Sequence, residues 1–311
     1  MKKIIIIIPY FGKLPKIYAF WRQSALNNPS IDFLFVADSH IEQAENIKVL
    51  NITFEQLKNY MQKFFDFTIT LPSPYKLCDF RPAYGDIFGD YIKGYDFWGW
   101  GDIDLIYGDL RYFFTDEILS MYDVISGWGH LTLYRNNDFC NKFYRKKVEG
   151  YKYFKDVYTN PKNQVFDEYL HDGMSDRWEK LYPNRIWNSK LFDDIRVPRL
   201  AMNFISEFHP EYSENLIFEY SESKLYRIYR DCNGEICREQ TLYAHFQQRK
   251  FLKISTCNLE HYLIVPNRII DYQKVTIDNL KYKYLQPIIT QYFIDNKSEI
   301  WLLFLIAHSK R

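Results

Sequence analysis

Two carboxylates, Asp102 and Asp104, stand two residues apart inside the otherwise apolar run FWGWGDIDLIYGD, residues 97–109. Side chains at i and i+2 of a strand leave the same face, so the pair is expected to project together while Ile103 and Leu105 face the other way. Carboxylates about 5 Å apart repel by roughly 3 kcal/mol at an effective dielectric of about 20, a cost that a divalent cation reverses. Oxygen donors suit Mg2+ or Mn2+, which keep coordination positions open for phosphate oxygens. The bland alternative makes one Asp a cap and leaves the other solvated. That reading suits Asp109 better, because GDLRYF can start a helix with Asp109 as its N-cap, and the apolar flanks make unpaired charge costly at 102 and 104.

A carboxylate pair acts only where a scaffold holds it. KKIIIII at the start is a β-branched run of the kind covered on both faces, with Pro9 to Gly12 forming the loop after it. A helix is expected over 15–27, buried strands over 31–38 and 46–52, and a helix over 53–65, where Thr53 and Gln56 form a capping-box pattern. Alternating strands and helices imply an α/β chain with a mostly parallel sheet and ligands at the carboxyl ends of its strands; Asp38 and Asp102 fall at such ends. Further on, the expected elements are a helix over 79–92, strands over 96–106 and 123–129, a mainly helical stretch over 137–190, and β structure over 216–246 with a hairpin turn at Asn233-Gly234.

Composition narrows the partners. The formal charge is +1 over 311 residues, so no global field favours nucleic acid. Aromatic residues make up 19 %, enough to stack on bases or sugars locally as well as to fill a core. The N-terminal apolar run is too short for a secretion signal and lacks a cleavage site; Ile300 to Ala307 is well short of the ~20 residues of a spanning helix. Five cysteines, 78, 140, 232, 237 and 257, form no framework and suit reduced thiols in a cytoplasmic protein. In a two-residue hairpin Cys237 would face Arg230, which disfavours a Cys232–Cys237 bridge.

The apolar strand running into Asp-x-Asp, downstream of an α/β half, resembles the metal-binding motif of nucleotide-sugar glycosyltransferases of the GT-A fold. The blocks IIIIIPYFGKLP, PYKLCDFRPAYGDIF, YDFWGWGDIDLIYGDL, GHLTLYRN and FDEYLHDG, spread over residues 1–250, look like a bacterial GT-A-like family linked to surface-polysaccharide synthesis, capsule or lipopolysaccharide. The resemblance implies a Rossmann-like sheet with flanking helices and a small β-hairpin region, Mn2+ or Mg2+ as cofactor, a UDP- or GDP-linked sugar as donor, and a glycan or lipid-linked saccharide as acceptor. It points to Pro9, Tyr10, Phe11 and Gly12 as the base and ribose loop, with Asp38 beside them. KLCDFRPAYG is similar to a Ser-Asp-x-x-Arg stretch that contacts donor sugar and phosphates, which gives Asp79 a sugar-hydroxyl role and Lys76 and Arg81 diphosphate roles; here Arg81 follows Asp79 by two residues and precedes Pro82, a departure from that stretch. A late His acts as third metal ligand in several such families, which His245 resembles, with Lys250 on the diphosphate.

Asp167 and Glu168 in NQVFDEYLHDG are the acceptor-side carboxylates: an inverting transferase needs a base for the acceptor hydroxyl, and a retaining one can use a carboxylate against oxocarbenium charge. His130 and Arg135 in GWGHLTLYRN are candidate acceptor contacts. Two other readings compete. Asp-x-Asp after an apolar strand also occurs in haloacid-dehalogenase-like phosphohydrolases, with the first Asp as nucleophile, although there the motif lies on the first strand. A non-catalytic carbohydrate-binding protein could also keep a transferase fold. The expected domain spans 1–250, followed by a C-terminal extension over 251–311 that could pack on the domain, join an oligomer or dock peripherally on the inner face of the cytoplasmic membrane.

Overall fold

The Ile4–Ile8 run is buried on both faces in the computed structural model, as a β-branched strand without alternation must be. The structure describes residues 1–169, 172–195, 204, 206–209, 211, 216–247, 253–256, 258–266, 268–276 and 280. The chain divides into two compact units, residues 1–192 and residues from Asp193 onward. The expected 1–250 domain takes in the whole first unit and the beginning of the second; most of the expected 251–311 extension lies outside the described residues.

In the first unit, strands β1 (Ile4–Pro9), β2 (Ile31–Ala37), β3 (Ile47–Asn51), β4 (Phe97–Gly101), β6 (Val124–Trp128), β7 (Leu131–Arg135) and β8 (Ile186–Trp187) form one sheet in the order β3-β2-β1-β4-β7-β6-β8; a three-residue strand, β5 (Leu105–Tyr107), follows β4 outside it. β3, β2, β1 and β4 run parallel, and β7 is antiparallel to β4 and β6. Helix α1 (Tyr18–Leu26) packs Trp21 against Phe33 and Phe35 of β2. Helix α2 (Phe54–Gln62) starts with the full capping box: Thr53 Oγ1 accepts from the Gln56 amide and Gln56 Oε1 from the Thr53 amide. Asp109 caps the short helix Leu110–Phe113, accepting from the amides of Arg111 and Tyr112.

Three expected elements differ. The stretch over 137–190 is not mainly helical: among the described residues it holds only short pieces, Asp138–Lys142, Phe143–Arg145, Phe154–Thr159, Met174–Leu181 and Pro183–Arg185, and includes β8. The other two lie beside the candidate site. The strand over 96–106 breaks: β4 pairs with β1 as far as Trp100 and with β7 as far as Gly101, and Asp102 to Asp104 form a turn before β5. Asp102 and Asp104 are therefore brought together by a turn and not by a strand face. The helix over 79–92 is instead a 3-10 helix, Pro74–Ala83, with a single α turn, Tyr84–Ile87, after it. Pro82 has no amide to donate and its ring clashes with the preceding helical turn, which disfavours a continuous α-helix there.

The second unit carries the β structure expected over 216–246. β9 (Asp193–Asp194) pairs in parallel with β13 (Tyr243–His245), and β10 (Ile217–Ser221), β11 (Lys224–Arg230), β12 (Ile236–Gln240), β14 (Lys253–Ile254), β15 (Tyr262–Val265) and β16 (Arg268–Asp271) form a sheet in the order β12-β11-β10-β15-β16-β14. Ile217, Ile228, Leu263 and Val265 form its core. The hairpin joins β11 to β12 through residues 231–235, with Gly234 at φ +87°, and Cys237 faces Tyr229 and not Arg230. Cys232 and Cys237 are free thiols.

Candidate functional site

Parallel pairing sets one edge of the first unit's sheet. Pro9 sits opposite Val36, and Ile7 opposite Trp100, so the loop after β1, Asp38 after β2 and Asp102 after β4 all leave at the carboxyl edge. There the Tyr10 amide donates to Val36 O at 2.9 Å and its hydroxyl to Lys13 O at 2.9 Å. Gly12 has φ +114°, a conformation that favours glycine, and Ser39 Oγ donates to its carbonyl at 3.1 Å, tying the loop to the end of β2. Burial, and then the negative field of Asp104, push the Tyr10 phenol up. Phe11 packs edge-on against Phe54, ring centroids 5.4 Å apart, and Asp38 is exposed.

The acidic turn meets a second cluster. A carboxylate oxygen of Asp102 lies within 4.8 Å of one of Asp104, and the Asp102 amide donates to His130 O at 2.9 Å. Arg81 Nη2 pairs with Asp102 Oδ1, while its Nη1 donates to Asp167 Oδ2 at 2.8 Å and to Gly129 O at 2.5 Å. Glu168 Oε2 accepts from the Gly129 amide at 3.2 Å, and Trp100 Nε1 donates to Gly129 O at 2.8 Å. One guanidinium thus serves two carboxylates. Burial alone would lower the Arg81 pKa, but Asp102, with Cys78 and Asp167, outweighs it and holds Arg81 well above its ordinary value. Burial pushes the Asp167 carboxyl up, with Glu168 adding to the rise and Arg81 opposing it. The cluster therefore contains a sealed carboxyl group inclined to keep its proton, a property useful in acid–base chemistry.

Lys76 and Asp79 do something other than the donor contacts expected of them. They form a buried ion pair at 2.6 Å. Lys76 Nζ also donates to Val157 O at 3.0 Å and Lys162 O at 2.7 Å, and Asp79 accepts from the amides of Gln164 and Phe166 at 2.8 and 2.9 Å. The pair fastens the loop that carries Asp167 and Glu168. That loop includes Val165 at φ +55°, a costly conformation for a β-branched residue, so an anchor on both sides of Val165 has a physical purpose. With these partners enclosed, neither side chain is presented to a diphosphate.

Arg135 also departs from its expected place. It pairs with Asp123 at 2.6 Å, donates to the carbonyls of Leu119 and Tyr122, and lies opposite Phe97, the first residue of β4. That is the edge of the sheet away from Asp102, so Arg135 is not on the acceptor side. His130 is at the right edge but buried, its ring parallel to Trp128 and edge-on to Phe192 at 5.0 Å. In the second unit, His245 ends β13 with Nδ1 2.8 Å from Asp194 Oδ1. Lys250 lies outside the described residues.

Two residues join the site that sequence reasoning passed over. Gly129 gathers Arg81, Trp100 and Glu168, and its only sequence signal is its place between two aromatic-rich strands. Tyr75, 64 % exposed, feels the charges of Asp167, Arg81 and Asp102. Burial pushes the neighbouring Cys78 thiol up to about 12, which keeps it protonated and unreactive.

The chain belongs to the family described as a family of unknown function (DUF6625), which matches residues 6–273. Comparison with curated proteins finds no match. Among solved structures, the chain is similar to the apo form of mouse xyloside xylosyltransferase 1, at 12% identity over 63% of this chain and 89% of that one, TM-score 0.38. An active-site mutant of LgtC is similar at 12% identity over 61% and 74%, TM-score 0.33. Likeness this distant assigns no chemistry.

Proposed function

We propose that this protein is a metal-dependent glycosyltransferase that moves a sugar from a UDP- or GDP-linked donor to a glycan or lipid-linked acceptor in bacterial surface-polysaccharide synthesis. The observation that carries the reading is the Asp102–Asp104 turn at the carboxyl edge of parallel strands, beside the Pro9–Gly12 loop and the Arg81–Asp167–Glu168 cluster. Two carboxylates with oxygens this close fit a hard divalent cation, and Asp102 and Asp104 would hold Mn2+ or Mg2+. When bound, the metal supplies positive charge against which a diphosphate can leave.

The remaining roles belong to the chain. Tyr10 is the favoured base-stacking residue, since Phe11 packs on Phe54, and Asp38 is placed to accept from ribose hydroxyls. Arg81 keeps Asp167 fixed and shares its charge with Asp102, so a cation on Asp102 would compete with Nη2 and return part of the guanidinium to the donor phosphates. Glu168 takes the acceptor proton in an inverting reaction or faces oxocarbenium charge in a retaining one, while Asp167, the other acceptor-side carboxyl, is sealed and inclined to stay protonated and helps to position Arg81. Among the described residues no helix is long and apolar enough to cross a membrane; a peripheral position at the inner membrane face would suit a lipid-linked acceptor. Titration calorimetry with Mn2+ and a panel of UDP- and GDP-sugars tests the proposal. Nucleotide binding that requires the metal is expected; folded protein that binds none of the panel in either condition overturns it.

A further inference from the structure

A cavity of about 560 Å3 opens in the first unit between the residues just after α2 and those around the helix Phe154–Thr159. Its volume is within the roughly 300–1,000 Å3 of small-ligand sites. Its lining, which includes Lys63, Phe64, Asp66, Arg145, Tyr153 and Lys155, shares no residue with the Asp102 site.

The cations differ in how they are held. Arg145 is fixed: Nε donates to Asp86 Oδ2 at 3.0 Å, Nη2 to Phe64 O at 3.1 Å, and the guanidinium lies 5.1 to 5.8 Å from the rings of Tyr144, Phe154 and Phe65. Lys63 and Lys155 are exposed, and among the described residues no carboxylate pairs with either. Against these three cations stand Asp66 in the lining and Asp86 behind Arg145, and Lys147 Nζ adds a positive charge 5.9 Å from the Tyr153 ring, so the cavity is net positive. An anionic group matches that balance. The half-buried Tyr153 ring, edge-to-face with Phe154 at 4.8 Å, gives the cavity a flat aromatic wall that a bare anion would not use.

We propose that this cavity binds a carboxylated sugar unit, its carboxylate drawn to Lys63 and Lys155 and the less polar face of its ring laid against Tyr153. The site is separate from the transfer reading, and it is tested with neither metal nor nucleotide present. Calorimetry of the full chain uses tetragalacturonate as the acidic probe, chitotetraose as the neutral one and inorganic phosphate as the bare anion. Tetragalacturonate is expected to bind at least tenfold tighter than chitotetraose, more weakly as salt rises, and at least tenfold more weakly to the Lys63→Glu/Lys155→Glu variant. Tyr153→Ala is expected to weaken binding about fivefold through lost stacking. Thermal unfolding checks that the charge-reversed variant is folded, as substitution of exposed lysines allows. The proposal is overturned by absence of tetragalacturonate binding, by equal binding in the double variant, or by phosphate binding at these residues as tightly as the saccharide.

Discussion

Lys76, buried, and Arg81, partly exposed, are two cations on one 3-10 segment, and they differ in the charge that surrounds them. Lys76 has one carboxylate and two carbonyls, and the count closes; what it does is hold a strained loop in place. Arg81 serves two carboxyl groups, Asp102 and Asp167, and a carbonyl, and Asp104 lies beside Asp102, so acid is concentrated there. Balanced charge in a protein interior is structural material. Two acidic side chains gathered at the carboxyl edge of parallel strands are what a cation can bridge.

The comparison can be broken first at the balanced end. Lys76→Met strands the Asp79 carboxylate without its cation and is expected to cost about 3–5 kcal/mol of stability, read as the midpoint of urea unfolding, with Mn2+ affinity in the folded protein unchanged. Asp102→Asn tests the acid-rich end: transfer is expected to fall by about 10²–10³-fold with loss of measurable Mn2+ binding, while the urea midpoint moves far less than in the lysine variant. Arg81→Gln sharpens the contrast. Removing a cation that competes for Asp102 is expected to tighten Mn2+ binding about tenfold even as transfer declines, and unchanged or weaker Mn2+ binding in a folded variant would show that Arg81 supports the turn without competing.

The smallest effect belongs to a balanced network in the second unit. Burial acts to raise the Glu219 pKa, but hydrogen bonds from Arg238 and Ser221 and the charges of Arg238 and His261 outweigh it and hold the carboxyl below its ordinary value. A carboxyl depressed in this way adds stability above its unfolded pKa, 4.5, and that stability is lost as pH falls through the folded value. Glu219→Gln is expected to flatten this acid limb slightly, measured as urea midpoints between about pH 3 and pH 6.

What was legible in the sequence was local. The isoleucine run, the Thr53–Gln56 box and the Asp109 cap are each decided by residues within a few positions of one another, and each formed as read. The partners of Lys76 and Asp79 lie at 157, 162, 164 and 166, a separation over which periodicity says nothing, so a sealed anchor resembled a donor contact. Arg135 was misplaced for a related reason: whether its end of β7 meets the carboxyl or amino edge depends on antiparallel pairing with β4. Asp102 and Asp104 were correctly read as neighbours, but through a different device, because the end of cross-strand pairing at Gly101 is a property of the sheet and not of the motif.

Gly129 has no side chain, and that vacancy is where the Glu168 carboxylate fits. A single methyl there would come within 1.9 Å of Glu168 Oε1. Alanine at 129 would displace an acid without removing any ionisable group, so chemistry could be silenced by bulk alone while every charge in the chain stayed the same.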